Sequence, residues 1–407
     1  MPARQRAVVM LYFKTGSRFE SPQQNGLSHF VEHMVFRGTR AHPSAHRLST
    51  AFEELGGTLD ASTAADHGTF GIDVPLESLS EVLPLMAEVF RAPLITDLEI
   101  ERGIIREEVL EDFGDEGEMI DGPSLTRFLA FGAHGLGRPI SGPLENVDAF
   151  TEAELRAHHG RTYISNDVIL SVAGPGDVDK IQRELEENFS ALQRGTSLVA
   201  EAPTTQSGAR FLNVPHRGSS QTGISLSYRC PGYTSKREPA VEMLLRIIDD
   251  GMATRLYHRL CDSRGLCYSV GGSFEAYQDA GLVELEADAA HERAPLVLEQ
   301  MLKLTRELQD ELVSESEFAR TQKRARWQHE AYLDEVGMTA DFFAMAQLTG
   351  TALSPAERLE ELLDVTREDL REAAQQIFSL EGRNVVCVGN TSRAKTSALR
   401  KLALEYF

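Results

Sequence analysis

An internal repeat organises this chain, because its second half can be aligned with its first half at one constant offset. In this alignment Gly38 falls on Gly251, and Gly68 falls on Gly281. In both halves the apolar pattern predicts a strand, two helices and a hairpin, in that order. The similar strands are 8–13 and 224–228, and the similar hairpins lie around Leu59 with 70–74 and around Ser269 with 282–286. A repeat of this kind predicts two homologous domains of sheet and helices.

The stretch between the two copies has the composition of a linker. Residues 193–208 are rich in Gly, Ser, Thr, Ala and Pro and lack a sustained apolar period. We therefore expect an N-terminal domain at 1–192 and a C-terminal domain at 209–407. A chain of 407 residues with 42% hydrophobic residues is long enough to bury two large cores.

The first copy carries two histidines and a glutamate within five residues, at His29, Glu32 and His33. An asparagine and a glycine flank residues 26–37 and predict a helix there. In that helix the two imidazoles lie one turn apart on one face, with the carboxylate beside them. One cation could contact both imidazoles while Glu32 holds its water. Zinc suits neutral imidazoles, and a catalytic zinc takes three protein ligands, so a third ligand must come from elsewhere.

A second predicted helix covers 96–111 and is rich in glutamate. Thr96 and Glu99 match a capping box at its start. Three glutamates share one face of this helix, and three apolar residues share another. The acidic face comprises Glu101, Glu108 and Glu111, and the apolar face comprises Leu98, Ile105 and Val109. From the spacing alone, the acidic face could point into a site or form a solvated surface.

Together these segments resemble the pitrilysin and mitochondrial-processing-peptidase family of inverted zincins. In that family a glutamate ligand follows the H-x-x-E-H motif at a characteristic separation, inside a stretch similar to 101–108, and Glu108 stands at the matching position here. The resemblance identifies Glu108 as the third ligand and Glu101 as an auxiliary acidic residue. Further matches are Gly16-Ser17-Arg18, Gly38-Thr39, 56–63, 137–142 and 265–270, and they extend over almost the whole chain.

The resemblance implies an α+β fold, in which two homologous α/β rolls of sheet and helices face each other like a clamshell. It also implies one Zn²⁺ per chain, held by His29, His33 and Glu108. Glu32 is then the general base that takes a proton from the zinc-activated water. Glu101, two helical turns before Glu108, is expected to order or tune the site. The predicted activity is that of a zinc metalloendopeptidase, which hydrolyses peptide bonds.

The second copy lacks this chemistry. When the two halves are aligned, Glu242, Leu245 and Arg246 stand at the positions of the two histidines and the glutamate. We expect only the N-terminal half to bind zinc in this way.

Substrate binding is expected to use the edge of a sheet. In the family the strand matching 57–63 pairs with an extended peptide, which assigns Leu59, Asp60 and Ala61 to substrate binding here. Because main-chain pairing is largely indifferent to side chains, it predicts broad specificity for unfolded or short peptides. The family's C-terminal domains also hold substrate with a tyrosine that matches Tyr268.

The chain departs from the family at the arginine that accompanies this tyrosine. That arginine lies seven residues before the tyrosine, and Cys261 holds this position here. A cysteine cannot replace a guanidinium that binds carbonyl oxygens. In the two-chain branch of the family, one subunit bears zinc and a related subunit bears the Arg/Tyr pair. We therefore expect a zinc-bearing subunit that forms a heterodimer with a homologous zinc-less subunit, with a homodimer as the alternative.

Charge and composition exclude other classes of partner. A formal charge of −21 and a pI near 5.0 argue against nucleic acids and anionic membranes. No apolar run reaches the roughly 18 residues of a membrane span. The four cysteines, all in the second half, are expected to be free thiols.

The N-terminus bears on the expected compartment. It shows no signal-peptide pattern, so we expect a cytoplasmic protein. Family members usually have an additional strand before the one at 8–13, and a missing N-terminal segment would make a periplasmic or organellar location the alternative.

Two other functions compete with a peptidase. A noncatalytic peptide-binding or assembly subunit of a processing-peptidase-like complex would not need Glu32 and all three ligands. A zinc hydrolase with a substrate other than peptide would not need the strand-addition edge. Peptide cleavage that depends on zinc separates the three.

Overall fold

The computed structural model describes residues 4–351 and 354–406, and these form two β-sheets with helices packed on them. The first sheet contains β1 (Arg6–Phe13), β2 (Asp60–Thr63), β3 (Gly68–Pro75) and β4 (Val168–Ala173). The second contains β5 (Arg210–Pro215), β6 (Thr222–Cys230), β7 (Cys267–Ala276), β8 (Gly281–Ala289) and β9 (Arg383–Gly389).

The helices are distributed along the whole chain. They are α1 (Leu27–Val35), α2 (Ala45–Glu54), α3 (Leu79–Arg91), α4 (Leu98–Glu111), α5 (Gly122–Phe131), α6 (Leu144–Ala149), α7 (Glu152–Thr162), α8 (Val178–Phe189), α9 (Glu238–Ile248), α10 (Arg255–Tyr257), α11 (Ala294–Asp310), α12 (Glu315–Asp334), α13 (Val336–Thr349), α14 (Pro355–Asp364), α15 (Arg367–Ile377) and α16 (Arg393–Glu405). Within the described part of the chain, no helix combines the length and apolar composition needed to cross a bilayer.

The two sheets share a strand order, and this confirms the predicted repeat. The order is β2-β3-β1-β4 in the first sheet and β7-β8-β6-β9 in the second, with antiparallel pairing throughout. The second sheet adds β5, which pairs in parallel with β9. Gly68 and Gly281, which align in the repeat, are the first residues of β3 and β8.

Each sheet buries one apolar face under its own helices. In the first, the rings of Phe13, Phe70, Phe90 and Tyr163 pack together, with centroids 4.5 Å apart for Phe13 and Tyr163 and for Phe70 and Phe90. In the second, alternate residues of β6 enter a core formed with α9, α11 and α15. The intervening residues Ser225 and Ser227 are buried as well, so β6 is covered on both faces.

The compact units differ from the two continuous domains predicted at 1–192 and 209–407. One unit comprises described residues up to 110, 138–201 and 330–351, and the other comprises 111–137, 202–329 and 354–406. The predicted linker 193–208 contains no helix or strand and crosses from one unit to the other after residue 201. Residues 111–137 therefore belong to the unit that contains the second sheet, and residues 330–351 belong to the unit that contains the first sheet.

Helix packing explains both exchanged segments. The segment 111–137 contains α5, which packs on β9 and β6 of the second sheet. The segment 330–351 contains α13, which packs on β1 and β4, where Ala340 forms an apolar cluster with Val8 and Ala173. Both helices cover a sheet whose strands lie far away in sequence, so their apolar faces did not reveal which sheet they cover.

The residue before α1 is held by a close backbone contact. Gly26 has φ +103°, and a Cβ added there would lie 2.6 Å from the carbonyl oxygen of Ser141. Gly142, at φ +77°, faces it, and a Cβ there would lie 2.3 Å from the oxygen of Asn25. Only glycine combines these angles with this approach. The contact gives the segment 137–142, one of the matches to the family, a structural role beside the start of α1.

We expect Gly26→Ala to destabilise the protein by about 1–3 kcal/mol, because a Cβ meets backbone atoms and the left-handed φ is strained. The midpoint of urea unfolding measures the effect. Gly160→Ala is the matched control, since Gly160 is exposed within α7 and an added Cβ meets nothing within 4 Å. That control should be neutral or stabilise by up to about 1 kcal/mol. Equal midpoints for the two variants would contradict the proposed contact.

Candidate metal centre

The N-terminus of α1 is capped by the buried carboxylate of Glu20. Its Oε1 accepts a hydrogen bond from the backbone N of Ser28 at 2.7 Å, and its Oε2 accepts one from the N of Gly26 at 2.9 Å. A negative charge there stabilises the helix and satisfies its free N–H groups. The predicted start signal, Asn25, instead donates its side-chain amide to Glu20 at 3.1 Å. The helix therefore begins two residues later than that signal, at Leu27.

A buried hydroxyl fixes the next turn of α1. The Oγ of Ser28 lies 3.0 Å from Nε2 of His158 and accepts a hydrogen bond from the N of Gly16 at 2.9 Å. Burial, together with Arg161 and His159, lowers the pKa of His158 to about 3, so its imidazole is neutral at ordinary pH. His158 thus has a structural role beside α1.

Three side chains from α1 and α4 converge at one point. Nε2 of His29 lies 3.3 Å from Oε1 of Glu108, and Nε2 of His33 lies 3.4 Å from Oε2 of the same carboxylate. One ligand atom from each residue lies within 4.8 Å of the other two, the one such group in residues 4–351 and 354–406. The nearby Glu107 is exposed and is not part of it. Two imidazoles and one carboxylate are the donor set of a catalytic zinc site, and they leave a position open.

Glu101 lies behind the histidines, on the far side of the His33 ring. Its Oε2 is 3.3 Å from Nδ1 of His33, and its Oε1 accepts a hydrogen bond from Arg37 at 3.1 Å. Arg37 also contacts Asp97 at 3.2 Å. A carboxylate at the second nitrogen of a ligating histidine fixes the ring and its tautomer. Glu101 is placed to orient a ligand and does not belong to the three-residue ligand group.

Arg37 and Asp97 were not predicted from the sequence. Arg37 lies four residues after His33, and Asp97 lies four residues before Glu101, so a one-turn spacing within the predicted helices 26–37 and 96–111 was the available signal. The predicted capping box at Thr96 was wrong. Asp97 adopts φ +61°, α4 begins at Leu98, and the carboxylate of Glu99 pairs with Arg102 at 3.2 Å.

The electrostatic field at the site is negative. Burial lowers the pKa of His33, but Glu101, Glu108 and Glu32 outweigh it and raise that pKa to about 9. Hydrogen bonds from His29 and His33 hold the pKa of Glu108 well below its usual range. Burial acts to raise the pKa of Glu101, and His33 and Arg37 lower it overall. The carboxylates of Glu101 and Glu108 are therefore ionised beside the imidazoles, as a dication requires.

Glu32 lies beside the ligands without joining them. Its Oε2 accepts a hydrogen bond of 2.5 Å from the hydroxyl of Thr63, the last residue of β2. A carboxylate next to three candidate metal ligands is the arrangement that a general base would need.

The predicted peptide-binding segment lies at the edge of the first sheet. In the described chain β2 pairs only with β3, so its other side is free for a further strand. Asp60 is exposed and Ala61 is half-buried, and both lie in β2. Leu59 precedes the strand and is 7% exposed, so its side chain packs inward.

Tyr268 and Cys261 belong to the other unit. Tyr268 lies near the start of β7, beside a register shift, and is 92% exposed. Cys261 is half-buried within a π-helical turn, His258–Asp262. The nearest upstream guanidinium, that of Arg259, forms an ion pair with Glu307. All four cysteines are free thiols, as predicted.

In the second copy, ion pairs occupy the place of the ligands. Glu242 pairs with Arg246 at 2.8 Å, one turn apart on α9. Arg358 from α14 contacts Glu242 at 2.6 Å and Glu238 at 2.7 Å. A charged pair therefore stands at the positions that the two histidines hold in the first copy.

Comparisons with known proteins assign the family. The model for insulinase (peptidase family M16) matches residues 1–120, and the model for the peptidase M16 inactive domain matches residues 149–325. An uncharacterised zinc protease of Rickettsia bellii is 26% identical over 95% of this chain and 93% of its own length. An uncharacterised zinc protease of Mycobacterium tuberculosis is 28% identical over 93% of this chain and 87% of its own length.

A solved structure agrees on the fold. A protease from Helicobacter pylori superposes with a TM-score of 0.86, with 19% identity over 95% of this chain and 94% of that one. This confirms the expected α+β fold with two homologous sheet-and-helix domains. The two family models together cover most of the sequence, and the relatives align along nearly all of it. The chain belongs to peptidase family M16, the insulinase-like inverted zincins.

Proposed function

We propose that this chain is a zinc metalloendopeptidase that cleaves short or unfolded peptides. The observation that carries the proposal is the convergence of His29, His33 and Glu108 within 4.8 Å, with Glu32 beside them. Nε2 of each histidine and the Glu108 carboxylate would hold one Zn²⁺. When bound, zinc polarises a peptide carbonyl and lowers the pKa of water.

The protein groups supply the proton transfers. One oxygen of Glu32 is held by Thr63, and the other is available to take a proton from the attacking water. Glu32 then delivers that proton to the amine of the departing peptide. Glu101 keeps the His33 ring oriented, with Arg37 and Asp97 behind it.

The peptide is proposed to pair as an added strand with the free side of β2, at Asp60 and Ala61. An extended backbone is required for this pairing, so a folded protein would not bind. Side chains contribute little to such pairing, which supports broad specificity.

We also propose that a homologous zinc-less subunit completes substrate binding. Cys261 stands where the family arginine is expected, and Arg259 is engaged by Glu307. Tyr268 is 92% exposed, so the tyrosine expected to hold substrate has little packing within its own chain. A partner that carries both the arginine and the tyrosine would supply the missing group.

The zinc-loaded chain alone should cleave a quenched unfolded peptide slowly, and Glu32→Gln should lower kcat by about 10²- to 10⁴-fold while zinc stays bound. Fluorescence release and metal analysis measure the two properties. Cleavage that persists in Glu32→Gln would contradict the proposed base. Full turnover without a partner would contradict the two-subunit arrangement. Zinc binding without any cleavage by the chain alone would point to the missing Arg/Tyr subunit, and no cleavage after that subunit is added would favour a noncatalytic peptide-binding subunit.

Glu108→Gln should abolish tight zinc binding, because an amide replaces an anionic ligand. Titration against a chromophoric chelator measures the dissociation constant. Glu107→Gln is the matched control, since this neighbour is exposed and outside the ligand group, and its zinc affinity should equal that of the unmodified chain. The assignment would be wrong if the Glu107 variant lost zinc and the Glu108 variant kept it.

Glu101→Gln should weaken zinc binding by about 10- to 100-fold, because His33 loses the carboxylate that orients its ring. The same chelator titration gives the value. Glu99→Gln, on the exposed side of α4, serves as the control and should leave affinity unchanged. An unchanged zinc affinity in the Glu101→Gln variant would contradict the proposed role of Glu101 at the site.

A further inference from the structure

The hydrogen bond between Thr63 and Glu32 joins the sheet edge to the proposed base. The hydroxyl of Thr63 donates to Oε2 of Glu32 at 2.5 Å, a short bond typical of a hydroxyl donating to a carboxylate. Among residues 4–351 and 354–406, no second hydrogen bond or ion pair holds this carboxylate. Without Thr63, the side chain of Glu32 could rotate away from the ligands.

Thr63 is itself fixed from several directions. Its backbone pairs with Gly68, and the turn that follows is closed by a hydrogen bond of 2.8 Å from the N of Ala64 to the oxygen of His67. The segment 16–18 packs against that turn, because the N of Arg18 donates to the oxygen of Ala65 at 2.8 Å. A Cβ on Gly16 would lie 2.3 Å from the oxygen of Ala64. The threonine, stiff at χ1, therefore presents its hydroxyl in one direction.

We infer that Thr63 is a positioning residue, which orients Glu32 and ties that orientation to the strand that receives the peptide. The inference rests on the proposed peptidase function. The free side of β2 would bind the peptide backbone, while Thr63, at the end of the same strand, holds the base. The peptide register and the direction of the base thus depend on one rigid element. This arrangement keeps the proton acceptor aligned with the carbonyl without a separate movement.

Thr63→Val tests the inference, because valine keeps the shape of the side chain and removes the donor. We expect kcat to fall about 10- to 100-fold, KM to stay within about threefold, and the zinc dissociation constant to be unchanged. Thr63→Ser restores the donor and should recover kcat to within about threefold of the unmodified chain. Thr50→Val, in α2, controls for the substitution itself and should have no effect.

Other outcomes would overturn the inference. An unchanged kcat in Thr63→Val would show that the hydroxyl is dispensable, and a raised KM with normal kcat would show that Thr63 acts on the peptide. Loss of zinc would show that it supports the metal site.

A crystal structure of Thr63→Val gives a readout that does not depend on activity. We expect the Glu32 carboxylate to move away from its position beside His29 and His33, whereas an unmoved carboxylate contradicts the inference. If the unmodified chain cleaves no peptide even with a homologous zinc-less subunit present, the proposed function fails, and this structure still decides whether Thr63 positions Glu32.

Discussion

The candidate site depends on bringing three donor groups from two helices, α1 and α4, within 4.8 Å of one another. Glu108 faces both imidazoles, so charge attraction connects α4 to α1 at this point. The other polar contacts preserve this approach. Glu20 fixes the start of α1, and Arg37 reaches from the end of α1 to Glu101 on α4.

The second copy shows what the fold requires when the ligands are absent. Its α9, the counterpart of α1, carries Glu242 and Arg246 one turn apart, and Arg358 joins them from α14. Buried charges are tolerated only when paired, and here every charge has an opposite partner. The same helix position can therefore hold either a potential metal site or an ion-pair network. The two copies keep their strand order through this change, so the fold does not depend on the chemistry at that position.

Short-range sequence signals predicted much of the fold and of the site. The repeat predicted the shared strand order. Helical spacing placed His29, Glu32 and His33 on one face of the first helix, and Glu101 and Glu108 on one face of the second predicted helix. The family resemblance, and not the spacing, singled out Glu108. What the sequence could not provide were contacts between residues distant along the chain. Glu20 caps a helix from six residues before Gly26, and Thr63 reaches Glu32 from another element. Neither contact corresponds to a periodic pattern in the sequence. The placement of α13 was equally hidden, because a helix with a single charged residue, Asp341, has no polar face to show which side packs.

The exchange of α5 and α13 between the two halves of the repeat determines how the protein can be divided. The sequence repeat suggests two modules joined at 193–208, as though a duplicated gene had produced two separable folds. A cut there would leave α13 on the C-terminal fragment, although α13 covers β1 and β4 of the first sheet. It would also leave α5 on the N-terminal fragment, away from β9 and β6. Each fragment would expose apolar sheet surface to water. The repeat is visible in the sequence, but each half needs a helix from the other half to cover its sheet.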